Sequence, residues 1–341
     1  MRVDIGSVSL VGRPRIGLAL GSGAARGWVH LGILRGLREA GVSVDILTGT
    51  SAGAVVGAFY AANSLDRLES FAQELKSFRT TFNYMDFSFA GRGLVGGKRF
   101  VQFLNEYLPV RHFEDCEIPL GIVASDLRQL GEVHIYEGAL LPAIRASVAV
   151  PGFLEPVESG EMQLVDGGLL NPVPVNLARK LGADIVIGVD LNAHPERVPA
   201  ESMGGVFNRT IEVMTNRIRL YNREVHPADY WIEPRLEDYS FFDFHRTEAA
   251  IELGLRLAKE HADEILKLHT PHMITSDGAV RMPDMFARAL NYVKLREENK
   301  ESRESQASPE ESESRAATKA GDDPGELSTE QNSTKLTTPD E

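Results

Sequence analysis

This sequence predicts an α/β fold with a mostly parallel central sheet covered by helices on both faces. Three observations predict it. Short β-rich runs alternate with helical patterns from residue 15 to residue 267, glycine-rich turns fall where a strand pattern gives way to a helical one, and no repeat of fixed period competes with the alternation. Arg15 to Leu20 reads as a strand, and Trp28 to Ala40 as a helix whose apolar positions Trp28, Leu31, Leu34 and Leu37 precede a terminating Gly41. Val44 to Leu47 reads as a second strand, and Ala52 to Ala62 as a helix apolar nearly all round and therefore buried. Further strands are expected at 120–124, 133–136, 163–165, 185–189 and 230–232, and helices at about 140–147, 175–181, 206–223 and 246–267. Strands of such a sheet present ligands at their carboxyl ends, so the strand-to-helix turns are where chemistry is expected.

Composition bounds the function. Among 341 residues, 36 Lys and Arg face 49 Asp and Glu, for a net charge of −13. That balance disfavours a nucleic-acid binder, which needs a surplus of cations on one face. The single cysteine, Cys116, excludes an intrachain disulfide and any zinc site built on two or four cysteines. No metal or cofactor is expected. The first seventeen residues lack the apolar stretch of a secretory signal, and the longest apolar run, Ala52 to Ala62, is eleven residues, too short to span a bilayer. The expected setting is cytoplasmic, with membrane contact at most peripheral.

From Arg296 onward the composition changes. Residues 296–341 contain no aromatic and only two leucines, and their 13 acids against 6 bases supply −7 of the net −13. Such a segment buries too little apolar area to offset its ordering entropy. The expected organisation is an N-terminal extension over 1–14, a folded domain over 15–295 and a disordered acidic tail over 296–341.

The first turn, Leu20-Gly21-Ser22-Gly23-Ala24-Ala25-Arg26-Gly27, joins a strand to a helix and offers a nest of backbone N–H groups, a natural anion site. The anion is either a dinucleotide pyrophosphate or the oxyanion of an acyl-transfer intermediate, unless the turn is purely structural. A dinucleotide fingerprint wants glycine at Arg26 and an acid closing the next strand, whereas Asp45 opens it.

In the second turn, Gly49-Thr50-Ser51-Ala52-Gly53 fits G-x-S-x-G between a strand and a helix, the context of a nucleophile elbow. Its glycines leave room for a sharp turn, and the helix N-terminus that follows favours developing negative charge at Ser51. An α/β-hydrolase reaches its nucleophile only after several strands and then requires Asp and His; here a single strand and helix precede the elbow strand. Of nine histidines, only His245, in Tyr239-Ser-Phe-Phe-Asp-Phe-His245, lies among enough aromatics to suggest a pocket.

Taken together, the motifs resemble the patatin-like phospholipases, and within them compact bacterial members similar to the catalytic domain of neuropathy target esterase. The resemblance covers roughly residues 14–268. It rests on the two turns above, on Arg145-Ala-Ser147-Val-Ala-Val-Pro151-Gly-Phe153, and on Val165-Asp166-Gly167-Gly168 followed by Asn171-Pro-Val-Pro174. It implies a three-layer α/β/α patatin-like fold and a Ser–Asp dyad without histidine, roles that fall on Ser51 and Asp166. A buried carboxylate touching a serine hydroxyl makes physical sense as a general base, because burial raises its pKa towards working pH. Backbone N–H groups around Gly23, Ala24 and Ala25 would then form the oxyanion hole, flanked by Gly21 and Gly27. Arg26 would orient that loop, meet a lipid phosphate or pair with a carboxylate.

Residues 78–107 hold eight aromatics, Phe78, Phe82, Tyr84, Phe87, Phe89, Phe100, Phe103 and Tyr107, among several glycines. They read equally as a flexible flap suited to an acyl chain or as the core of a helical subdomain. The expected activity is lysophospholipase or phospholipase A-type hydrolysis of a fatty-acyl ester, with the lipid as partner and the oligomeric state undetermined. The competing reading is a non-catalytic lipid-binding or regulatory module on the same fold.

Overall fold

A computed structural model describes residues 2–5, 8–11, 13–74, 93–95, 97–194, 202–236, 239, 243–268, 273–275 and 278–280. The acidic tail and the aromatic residues Phe78 to Phe89 lie outside them. The chain divides into two compact units. The smaller begins with strands β1 (Arg2–Ile5) and β2 (Val8–Val11), an antiparallel pair.

In the larger unit, β3 (Ile16–Leu20) passes through a 3-10 turn at Ala24–Gly27 into helix α1 (Trp28–Glu39), and β4 (Ile46–Thr50) leads into α2 (Ala52–Ala61). Helix α3 (Leu65–Glu74), strand β5 (Gly93–Val95) and helix α4 (Lys98–Tyr107) precede strands β6 (Leu120–Asp126) and β7 (Gly131–Ile135). Next come α5 (Leu140–Ser147), β8 (Gly152–Leu154), β9 (Val157–Ser159), β10 (Met162–Asp166) and α6 (Val175–Lys180). The unit ends with β11 (Ile185–Val189), α7 (Met203–Val225), β12 (Tyr230–Ile232) and α8 (Thr247–Leu268). Beyond it, β13 (Met273–Thr275) and β14 (Gly278–Val280) extend the small antiparallel sheet in the order β1, β2, β13, β14. Runs of three residues carry too little periodicity to be read from sequence, and these last two strands were not anticipated.

The elements expected between residues 15 and 267 are present in their order, and α3, β5, α4, β8 and β9 stand among them without having been expected. Gly41, at φ +79°, closes α1 in the left-handed conformation, with Val42 N–H donating back to the Leu37 carbonyl. One strand is displaced: it occupies 46–50 rather than 44–47 and so runs directly into Ser51. Its Thr-Gly-Thr end shows no apolar alternation, yet it is buried, because the hydroxyls of Thr48 and Thr50 donate to the carbonyls of Pro174 and Asn171.

Strands β12, β11, β3, β4 and β6 are parallel neighbours in that order. The antiparallel strands explain the site. Ile122 and Val123 of β6 pair both with Gly49 and Thr50 of β4 and with β7, so β4 and β7 take opposite edges of β6. Ala124 to Asp126 pair with both β7 and β10, so β10 shares the β4 edge. β4 and β10 therefore run towards each other along one edge, ending at Thr50 opposite Val123 and Asp166 opposite Ala124.

Helices cover both faces. Ile16, Leu18 and Leu20 of β3 join the main core with α1, α2 and α8, whereas Ala19 faces the opposite side with Ala178 of α6, Ala183 and Val186. The aromatic residues of α4 belong to that main core. Phe103 is 5% exposed and its ring lies 3.9 Å from Phe71 of α3 and 5.8 Å from Phe59 of α2, so for the described aromatics packing, not a flap, is what the structure shows. On α7, Arg219 and Asn222 point inward while Val213, Met214 and Tyr221 are exposed.

Candidate active site

Ser51 follows the last residue of β4 and adopts φ +55°, ψ −117°, a strained turn for a non-glycine residue. The turn is possible because two backbones touch. A Cβ on Gly49 would lie 2.4 Å from the Gly53 carbonyl oxygen, and one on Gly53 would lie 2.1 Å from that of Leu20. Both outer positions of G-x-S-x-G are thus confined to glycine by contact. The Ser51 N–H donates to Ser147 Oγ at 2.8 Å, and that hydroxyl donates to the Val123 carbonyl at 2.7 Å, tying the elbow to β6.

Asp166 arrives from the other direction along the same edge. Ser51 Oγ donates to Asp166 Oδ2 at 2.6 Å, and Gly168 N–H donates to Oδ1 at 2.7 Å. Both side chains are buried. Burial pushes the Asp166 carboxyl up from 3.8 to about 6, against the opposing pull of the Ser51 and Gly168 hydrogen bonds. Asn171, from the last motif, holds this turn to its surroundings: its N–H donates to Gly167, its carbonyl accepts from Thr50, and its amide donates to Glu132 Oε1.

The glycine loop is anchored at Gly21 and Ser22, whose N–H groups donate to the carbonyls of Val189 and Pro172. Among the described residues, the N–H groups of Gly23, Ala24 and Ala25 meet no such acceptor. The loop packs beside the turns that carry Ser51 and Asp166. A Cβ at Gly168 would sit 3.0 Å from Asp166 Oδ1 and 3.2 Å from Ser22 Oγ, and one at Gly27 would strike Ala52. Arg26 is 2% exposed; its Nε donates to the Tyr239 carbonyl and its Nη1 to Asn192 Oδ1. These bonds tie the loop to Tyr239 and Asn192.

His245 is exposed on a 3-10 turn, and the Ser51 hydroxyl meets the carboxylate with no imidazole between them. Three supporting residues were not singled out from sequence. Ser147 lay inside a quoted motif without a role. His30, fully buried, has Nε2 2.7 Å from the Gly21 carbonyl, and burial depresses its pKa to about 4, so the neutral ring donates that bond. Asn192, with its Nδ2 on the Ser22 carbonyl at 2.9 Å, follows β11 in a turn without a motif. Its only signal in the sequence is its place, with Asp190, just past a strand's carboxyl end. Among the described residues, no group of three or more His, Cys, Asp or Glu is arranged to hold a metal.

The fold and site define a three-layer α/β/α domain with a serine elbow and an aspartate on adjoining rungs of its sheet. Comparison places that domain in a family. Residues 18–179 match the patatin-like phospholipase family, and the chain carries a patatin-like phospholipase domain. An uncharacterized NTE family protein of Mycobacterium tuberculosis is 38% identical over 179 residues, covering 52% of this chain and 49% of that protein. Human patatin-like phospholipase domain-containing protein 6 is 34% identical over 187 residues, covering 53% of this chain and 14% of its own. The chain thus spans about half the length of the mycobacterial relative and a small part of the human one. Among solved structures, VipD from Legionella pneumophila aligns with a TM-score of 0.42 at 13% identity, over 79% of this chain and 70% of that one.

Proposed function

We propose that this protein is a serine acyl hydrolase of the lysophospholipase or phospholipase A type, cleaving fatty-acyl esters through Ser51 and Asp166. The observation that carries the reading is the direct 2.6 Å contact between Ser51 Oγ and Asp166 Oδ2 in a buried site. Ser51 Oγ attacks the acyl carbonyl while Asp166 takes its proton, and negative charge moves to the carbonyl oxygen. The N–H groups of Gly23, Ala24 and Ala25 are the donors for that oxyanion. Asp166 returns the proton to the departing alcohol oxygen, leaving an acyl-serine. A water then repeats the sequence, with Asp166 as its base, to release the fatty acid.

Contact with the lipid phase is peripheral in this reading. No helix among the described residues is long and apolar enough to cross a membrane. The exposed Val213, Met214 and Tyr221 of α7 offer an apolar surface of the kind that rests at an interface.

A long-chain fluorophosphonate is expected to label Ser51, as mapped by peptide mass spectrometry, and Ser51→Ala is expected to take no label. His245→Ala should keep both labelling and turnover of a fatty-acyl nitrophenyl ester within about threefold, as for a surface change. Failure of the native chain to be labelled, or loss of turnover in folded His245→Ala equal to that of Ser51→Ala, would sink the dyad. The pH profile is a second check. Only the ionised carboxylate accepts the serine proton, so kcat/KM is expected to rise tenfold per unit below the Asp166 pKa of about 6 and to level above it. Turnover that stayed constant between pH 4.5 and 7.5 would assign the base to another group.

A further inference from the structure

The glycine loop contains two consecutive peptide planes held in different ways. The plane between Gly21 and Ser22 is bonded on both sides, its carbonyl accepting from His30 and its N–H donating to Pro172. The plane between Ser22 and Gly23 is bonded on one side only. Asn192 Nδ2 donates to the Ser22 carbonyl at 2.9 Å, and the Gly23 N–H on the opposite edge meets no backbone acceptor among the described residues. In a trans peptide the carbonyl and the N–H point in opposite directions, so gripping one aims the other.

Asn192 is itself held through its side-chain amide and its backbone N–H. Its Oδ1 accepts from Arg26 Nη1, which can only donate, so the amide nitrogen is the atom turned towards Ser22. Its N–H donates to Asp190 Oδ1 at 3.0 Å. Asp190 Oδ2 in turn accepts from Arg219 Nη1 at 2.7 Å, an ion pair whose side chains are 1% and 9% exposed. A buried pair of this kind is costly to break, which makes it a rigid footing for the residue above it.

The geometry points to Asn192 as the positioning residue that aims the Gly23 N–H as an oxyanion donor, braced from helix α7 through Asp190 and Arg219. The inference rests on the acyl-hydrolase reading and adds a residue that touches neither substrate nor the reacting pair. Asn192→Leu matches the amide in size and deletes the donor. Asn192→Asp keeps the shape and an acceptor for Arg26 but turns a carboxylate oxygen towards the Ser22 carbonyl. Each is expected to lower kcat by about 10²-fold, the scale of losing one oxyanion donor, with KM within threefold of native. A long-chain alkyl trifluoromethyl ketone reports the same feature without turnover. Ser51 Oγ adds to its carbonyl carbon, Asp166 takes the proton and the carbonyl oxygen becomes the oxyanion, so its inhibition constant should rise by the same factor as kcat falls.

Fluorophosphonate labelling of Ser51 in the native chain separates this inference from the reading beneath it. With labelling present, a folded Asn192→Leu or Asn192→Asp that kept kcat within threefold, or lost kcat without weakening the ketone, would overturn the positioning role alone. Absence of label in the native chain would overturn both. Circular dichroism establishes folding, and Asn192→Asp decides the matter should Asn192→Leu fail to fold.

Discussion

Asp166→Asn is expected to lower ester turnover by about 10⁴-fold, with Ser51→Ala lower still and the double variant little worse than the worse single, because the two groups act as one unit. The same substitution should stabilise the fold at neutral pH. The folded chain holds the Asp166 proton up to about pH 6, whereas an unperturbed carboxyl releases it near 3.8. Folding is therefore linked to proton uptake between those values, and stability falls as pH rises through them. Above pH 6 the ionised carboxylate costs about 3 kcal/mol, which an amide of the same shape does not incur. The asparagine keeps an oxygen for the Gly168 N–H and presents its nitrogen to the Ser51 oxygen. Its melting temperature at pH 7.5 should exceed native by several degrees, and the gap should close near pH 4. A variant that melted below native at pH 7.5 would show that the charge is compensated by groups other than Ser51 and Gly168.

The second large effect lies far from the chemistry. At the crossing of α1 and α8 a Cβ on Gly254 would sit 2.2 Å from the Val29 carbonyl oxygen, and one on Gly32 would sit 2.1 Å from that of Ile251. The obstacle on each side is backbone, which cannot rotate away. Gly254→Ala is therefore expected to force the helices apart at a cost of about 3 kcal/mol, the upper end for overpacking. That corresponds to a melting temperature lower by roughly 10 °C, read by differential scanning calorimetry. A shift under about 2 °C would mean that the two helices separate freely.

Much of the larger unit was legible because its signals are local. The alternation of strand and helix patterns, the all-apolar helix after Ser51 and the glycine closing α1 each depend on residues within a few positions of one another. The site was legible in part for the same reason: Ser51 and Asp166 each stand in a motif at a strand end. What brings them together is the register of β4 and β10 on β6, set by pairings between residues 38 to 73 positions apart and invisible to local pattern. The supports were hidden for a related reason. His30, Ser147 and Asn192 act through single hydrogen bonds to backbone atoms distant in sequence, and a lone polar residue in a helix or turn gives no sign of which carbonyl or N–H it will meet. Strand β4 was misplaced at its end because threonines bonded across the sheet take the place of apolar residues.

All seven residues of β6 are buried, and the strands that lead to Ser51 and Asp166 end on adjacent rungs along one of its edges. A strand enclosed in this way opens only when the whole sheet does. Under the proposed mechanism the nucleophile and its base therefore stand beside a fully enclosed strand, and the chemistry is bound to the survival of the sheet itself. The turns that carry Ser22, Gly23 and Asn192 are tied in by their own hydrogen bonds and share that constraint, so only connections that do not reach the site are released from it.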